Sequence, residues 1–452
     1  MSDVHSVGGY VFAGSLFALG LSSWQVLVSL LTGICLVQYF CNLVAKPSQL
    51  AGVPYPVACR VPFGVFGANI PAIIRGLIAV AWYGVQTFLA SASLTLLALH
   101  FFPSLEYLAR IEFLGLSWLG WASFLTMWVL QAIVFWNGMG AIKRFIDWAG
   151  PAVYAVMFLL AAWIVYKAGP SNINLNLGNV KYHGTDVILP MITAVALVVS
   201  YFSGPMLNFG DFSRYAKSYD EVKRGNFWGL PVNFLLFSLV TVITTSGTLP
   251  VFGQLITDPI QVVGKIDNDF AVVLGSFTFI TATIGINIVA NFVSPAFDFS
   301  NVAPKLISWR AGGMIAAVAS IFITPWNLFN SPQTIHYTLD VLATFIGPLF
   351  GILLVDFYLV RQEKIIVDDL YSDDPKAAYW YSNGYNLKAV LALVPAVLIG
   401  LGILFVPALK GMSNFAWFVG VALGGAFYRM LMQDVPAAGK EGGMAAPVRA
   451  RS

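Results

Sequence analysis

The chain has 452 residues, of which 58% are hydrophobic and only 10% charged, with a formal net charge of +3. A soluble domain carries about 25% charged residues, so this composition, with a mean hydropathy of +0.78, excludes a water-soluble protein and places the chain in lipid. Its Lys and Arg fall in short loops and form no continuous basic surface, which argues against a nucleic-acid partner.

A helix needs about 20 apolar residues to cross the hydrocarbon core, and long uncharged runs predict twelve spans in chain order. The first, 4–21, is interrupted by Ser6-Val7-Gly8-Gly9 and has no basic segment before it, so no cleavable signal peptide is expected. The second, 23–45, holds Cys35 and Cys41, with Cys59 just beyond; their spacing suits neither a metal nor a disulfide framework. The third, 70–99, carries Arg75, Trp82 and Gln86, and 117–137 and 149–166 follow. The sixth, 187–208, contains Phe202 and then Ser203-Gly204-Pro205. After 229–252 comes 271–295 with Asn287 and Asn291, then 312–326, 338–360 ending at Asp356, 389–408 and 414–432. From about Pro436 the composition turns to Ala, Gly and charge, which predicts a disordered tail.

Alternate loops differ in charge. Lys46, Arg60, Lys143, Arg144, Arg214, Lys217, Lys223, Arg224, Lys305, Arg310, Arg361, Lys364, Lys376, Lys388 and the tail residues Arg429, Lys440, Arg449 and Arg451 fall on one side, while the other has Arg110, Lys167, Lys181, Lys265 and Lys410. The basic side is predicted to be cytoplasmic, with both chain ends on it, in a cell's inner membrane.

The two interrupted spans open two possible five-helix halves. Paired glycines loosen a helix and Pro205 lacks an N–H, so both segments are predicted to unwind. Freed backbone groups are tolerated in a membrane only where they line a cavity or are buried in protein. Breaks at matching positions of two repeats point to a transporter's midplane site. Gly and Pro also serve simply for close helix packing.

Trp82 and Gln86 stand four residues apart on one helix face, and so do Asn287 and Asn291. With Phe202 they offer rings and carboxamides that match a flat heterocycle bearing alternating N–H and C=O groups. No charge lies at that depth in these spans, which favours a neutral solute. Each amide taken alone also suits interhelical bonding. Asp211, Arg214, Asp298 and Asp356, near span ends, suit ion pairing or gating, or interfacial anchoring.

Five stretches, in order, resemble the nucleobase:cation symporter-1 family: FGVFGANIPAIIRGLIAVAWYGVQ at 63–86, NGMGAIKRFIDWAGP at 137–151, NFGDFSRYAK at 208–217, NIVANFVSPAFDFSNVAPK at 287–305 and GPLFGILLVDFYLVR at 347–361. VDDLY at 367–371 and GYN at 384–386 look like its bacterial allantoin and uracil branch. The resemblance implies an all-α integral-membrane LeuT-like fold, a 5+5 inverted repeat of about twelve helices with helices 1 and 6 broken, working by alternating access. The first repeat is then expected over 1–165, lacking the start of helix 1, the second over 186–361, helices 11 and 12 over 388–432 and a cytoplasmic tail over 433–452.

By resemblance, substrate contacts fall on Trp82, Gln86, Asn287 and Asn291, with Phe202 where the family often has tryptophan, and with Ser6 and Gly204 at the helix breaks. Sodium-coupled members offer hydroxyls where this chain has Gly285 and Ile286. A hard cation needs oxygen, leaving backbone carbonyls at Ala282 and near Ser2 and His5. Proton coupling, with His5 and Asp3 as carriers, is the alternative to sodium. The expected activity is symport of a neutral planar solute, uracil first, a hydantoin or allantoin next, with no cofactor and no obligate protein partner. An integral-membrane enzyme is disfavoured because His5, His100, His183 and His336 are scattered and Asp373-Asp374 lies in a loop. A passive channel or a sensor is the remaining class.

Overall fold

The computed structural model of the chain describes residues 7–173, 181–182 and 184–433. Ser2, Asp3, His5 and Ser6, and the expected tail from 434 onward, lie outside the described residues. The principal helices are α1 (Val7–Ser15), α2 (Ser23–Ala51), α3 (Asn69–Phe101), α4 (Trp118–Trp136), α5 (Met139–Ala168) and α6 (Ile188–Leu207). They continue with α7 (Tyr219–Phe252), α8 (Asp269–Val302), α9 (Trp309–Phe322), α10 (Pro332–Val360), α11 (Leu387–Phe405) and α12 (Ala416–Leu431).

Polar residues at the helix starts take up orphan backbone N–H groups. The backbone N–H of Ser22 donates to Gln25 Oε1 (2.8 Å) at the head of α2, and the side chains of Ser117, Asn268, Ser308 and Ser331 cap α4, α8, α9 and α10. Gly52, with φ at 70°, closes α2 in the left-handed conformation that glycine adopts without strain.

Among the described residues nine helices are long and apolar enough to cross a membrane; α1, α9 and α12 are shorter. The ninth predicted span stops early because Thr324 turns left-handed (φ 47°) ahead of Pro325, which leaves a helix of 14 residues. α5 begins ten positions before its predicted start, directly after Gly138 at φ 83°. Lys143 and Arg144 lie exposed on its first turns, so charge marked the water boundary there and not the helix end. A two-residue hairpin, Glu112–Phe113 paired with Leu116–Ser117, adds a little strand to the all-α prediction. Its turn residues Leu114 and Gly115 both have positive φ, as a tight hairpin of that hand requires.

Of the two expected helix breaks, the first begins at Ser6, outside the described residues, and the second is displaced along the chain. α1 is helical through Gly8 and Gly9, and α6 runs unbroken through Ser203-Gly204-Pro205 before turning at Asn208 and Phe209. Pro205 sits within three residues of the helix end and, lacking an N–H, omits one rung of the ladder there without interrupting the helix. The irregular turns that do occur inside long helices are wide π-turns at Trp228–Val232, Val289–Val293 and Val355–Val360. A π-turn leaves backbone carbonyls short of helical partners and often marks a functional position.

Burial separates centre from rim. The most apolar stretches of α3 and α8 are 72% and 78% buried, against 39% for α4 and 33% for α5. α3 packs along α8, α2 along α6 and α5 along α7. The outer face of α4 presents Leu125, Val129, Leu130 and Ile133, a surface that only lipid covers without cost. The centre of the molecule is therefore built chiefly on α3 and α8.

Candidate functional site

On α3 and α8 the buried amides first satisfy one another. Asn287 Nδ2 stands 2.7 Å from Gln131 Oε1, 3.0 Å from Thr87 Oγ1 and 3.0 Å from the Tyr83 carbonyl, while Gln131 Nε2 donates to Thr87 Oγ1 at 3.1 Å. Asn291 Nδ2, one turn on, donates to Asn287 Oδ1 at 3.1 Å. Asn287 thus has both ends of its carboxamide engaged by protein, tying α3, α4 and α8 together in the buried interior.

Beside this knot lies a narrow cleft lined by Trp82, Gln86, Tyr201, Pro205 and Asn291. The rings of Trp82 and Tyr201 meet edge to face at 5.2 Å, and Phe329 meets Trp82 at 5.9 Å. Gln86 is 2% exposed, and its Oε1 is buried with no hydrogen-bond partner among the described residues. An unmet amide oxygen in a low-dielectric interior is costly, so this atom invites an N–H donor from a solute. No charged side chain lines the cleft. A larger cavity of about 310 Å³ on the far side of Pro205 shares only that residue with it.

Trp82, Gln86 and Asn291 are therefore brought together, and Asn287 stands behind them. Phe202 is not at the cleft: it is buried against Tyr201 (5.1 Å) and Phe234 (5.7 Å). Successive helical residues point about 100° apart, so Tyr201 takes the place given to Phe202 from sequence. Gly204 faces Arg75, not the cleft. Gly8 was not singled out as a contact, yet a Cβ there would lie 2.6 Å from Gln86 Nε2. Only a glycine lets the α1 backbone approach that amide so closely.

Ala282, Gly285 and Ile286 are buried on α8, and Gly285 faces the ring of Phe145. None of these side chains supplies oxygen. Between them Thr283 Oγ1 is buried without a hydrogen-bond partner among the described residues.

Asp211 and Arg214 do not act as a pair. Arg214 stacks over Tyr215 and Phe297 and bonds the Tyr215 hydroxyl. Asp211 turns inward, accepting from the Tyr55 backbone N–H at 2.8 Å and from Asn208 Nδ2 at 3.1 Å. Burial raises its carboxyl above the ordinary range, opposed by these hydrogen bonds and by the Arg75 charge. Asp298 is fully buried nearby, within electrostatic reach of both Asp211 and Arg75. Asp356 pairs instead with Arg361 at 3.6 Å and accepts from Tyr428 at 2.7 Å.

Arg75 is the residue that sequence reasoning left without a role. Its Nε donates to the Gly204 carbonyl (3.2 Å) and to Asn208 Oδ1 (3.0 Å), and its Nη2 donates to the Ala290 carbonyl (3.3 Å). One guanidinium thus caps both the C-terminal end of α6 and the π-turn of α8. A lone Arg inside an otherwise uncharged span was the available signal.

Comparison with known proteins follows the same lines. A family model described as permease for cytosine/purines, uracil, thiamine, allantoin matches residues 1–420. The allantoin permease of Bacillus subtilis (strain 168) is 35% identical over 445 residues, covering 97% of this chain and 89% of that protein. The purine-uracil permease NCS1 of Arabidopsis thaliana is 34% identical over 398 residues, 87% of this chain and 66% of that one. Among solved structures, the nucleobase-cation-symport-1 transporter Mhp1, in a closed conformation with bromovinylhydantoin bound, superposes with a TM-score of 0.76 at 20% identity over 96% of this chain and 90% of that chain. That likeness gives the chain its LeuT-like fold. The chain belongs to the family of permeases for cytosine and purines, uracil, thiamine and allantoin, and is a multi-pass membrane transporter, not an enzyme.

Proposed function

We propose that this permease imports a neutral, planar, amide-rich heterocycle, uracil as the first candidate, by cation symport with alternating access. The observation that carries the reading is the unmet Gln86 Oε1 in an uncharged cleft beneath Trp82 and Tyr201. A ring N–H of the solute completes that oxygen, Asn291 meets a second polar edge, and the indole covers the face. In this reading Trp82, Gln86, Tyr201 and Asn291 contact the solute, Asn287 positions Asn291, and Gly8 admits α1 to the cleft.

Allantoin or a hydantoin is the second reading. The identity to an allantoin permease over nearly the whole chain favours it. Both classes present N–H beside C=O, and competition separates them. Uptake of labelled uracil into cells expressing the chain is challenged with dihydrouracil, hydantoin and allantoin, with and without sodium and with a protonophore. The strongest competitor identifies the class; failure of every solute to exceed empty-vector cells, with protein in the membrane, overturns the proposal.

The coupling ion is a proton or sodium. The lack of side-chain oxygens at Ala282, Gly285 and Ile286 supports the proton. The repeats are assigned to 1–165 and 186–361, with 388–432 added outside them. Charge asymmetry supports a cytoplasmic membrane location with both termini inside. A cysteine at Lys143 then labels from the cytoplasm and one at Lys410 from outside.

A further inference from the structure

Beneath the cleft lies a group of charges that the binding of a neutral solute does not explain. It gathers Arg75 of α3, Asp211 in the turn after α6, and Asp298 on the last turns of α8. Tyr55 and Cys59, from the short helices after α2, face the same group. Arg214 lies on its rim over Phe297. Arg75, Asp211 and Asp298 are each 0 to 1% exposed.

Two carboxylates and one guanidinium leave a net buried charge of about one, which the interior of a membrane protein does not tolerate cheaply; one shared proton makes the trio neutral. Geometry says where that proton sits. Asp211 accepts hydrogen bonds on both oxygens, from Tyr55 N–H and from Asn208, and donors favour the ionised form. Asp298 has neither oxygen hydrogen-bonded among the described residues.

We infer that Asp298 is the proton-carrying residue of the transport cycle, with Arg75 as the positioning residue that links its charge to the solute cleft. The inference rests on the symport reading above. Arg75 holds the carbonyls of Gly204 and Ala290, which precede Pro205 and Asn291 in the cleft wall. When Asp298 gives its proton to the cytoplasm, the new carboxylate competes for Arg75. Turning toward it, Arg75 leaves those two carbonyls, and the wall carrying Pro205 and Asn291 loosens. One proton bound from outside is thus released inside together with the solute, and no other reactant is needed.

Infrared spectroscopy of the purified full chain in lipid tests the proton without any solute. The expected result at neutral pH is a protonated-carboxyl C=O band that is lost in Asp298→Asn and keeps its frequency in Asp211→Glu, which preserves the charge count of the trio. A band unchanged in Asp298→Asn, or no such band in the unsubstituted protein, overturns the inference. Should Asp298→Asn not accumulate in membranes, Asp298→Glu serves in its place by shifting the band.

In proteoliposomes, Asp298→Asn is expected to exchange labelled solute for unlabelled solute while losing accumulation driven by a proton gradient. Accumulation by that variant with the unsubstituted pH profile, or uptake by the unsubstituted protein that follows sodium and ignores a protonophore, also overturns it. If the unsubstituted protein moves none of the solutes, the symport reading fails, while the infrared band still decides the proton site.

Discussion

Asn287 Nδ2 lies 2.7 Å from Gln131 Oε1, a contact between the two central amides of α8 and α4 that both side chains need in a dry interior. Removing Asn287 strands Gln131 Oε1, and removing Gln131 leaves Asn287 Nδ2 to Thr87 and the Tyr83 carbonyl alone. Asn287→Ala and Gln131→Ala should each cost on the order of 1–3 kcal/mol, seen as a lower melting temperature in detergent. The double variant should cost clearly less than the sum of the two. Strict additivity would mean that the contact carries no coupling.

Gln86→Ala should behave in the opposite way. Gln86 Oε1 has no partner to strand among the described residues, so the melting temperature should stay near that of the unsubstituted protein. Solute affinity should fall by about tenfold or more, equivalent to about 1.4 kcal/mol or more for the lost hydrogen bond. A large stability loss with intact binding would reassign Gln86 to the packing role of Asn287. Equilibrium binding measured beside thermal unfolding separates the two.

The contrast between these residues also marks what the sequence could convey. Hydropathy located the spans, and i, i+4 spacing placed Trp82 with Gln86 and Asn287 with Asn291 on common faces. Spacing does not tell which of two amides is consumed by neighbours, because Gln131 and Thr87 come from other stretches of chain. It also put the unwinding at Pro205, whereas α6 stays helical to Leu207 and the irregularity in α8 is a π-turn at Val289–Val293. A π-turn leaves little trace in composition, because its residues are ordinary helix residues whose carbonyls find Arg75 and other tertiary partners. Arg75 was visible as a charge within a span, but its partners on α6 and α8 emerge only on folding.

Tyr201 and Phe202 offer a test of helix phase. Tyr201 lines the cleft, and Phe202 packs on Phe234. Tyr201→Ala should weaken solute binding by about tenfold, the scale of one aromatic contact and its burial. Phe202→Leu should leave affinity within about twofold while lowering the melting temperature through lost packing. If Phe202→Leu abolished binding and Tyr201→Ala did not, the phase assigned to α6 would be wrong.

Gly8 gives the most local prediction. A Cβ at this position would lie 2.6 Å from Gln86 Nε2 and 2.9 Å from Gln86 Oε1, both inside contact distance. The clash falls on the end of a side chain that has rotatable bonds, so Gly8→Ala should displace the amide and spare the fold. Gly8 lies in the first turn of α1, where helix propensity favours alanine by less than the roughly 1 kcal/mol of a helix interior. Gly8→Ala should therefore keep or raise the melting temperature while lowering affinity by about tenfold. Gly8→Val should lower it further, because a branched side chain fills the space the amide would move into. Combining Gly8→Ala with Gln86→Ala removes the clash, and the double variant should bind no worse than Gln86→Ala alone. Additive losses in that pair would show that Gly8 acts on the solute by a route other than Gln86.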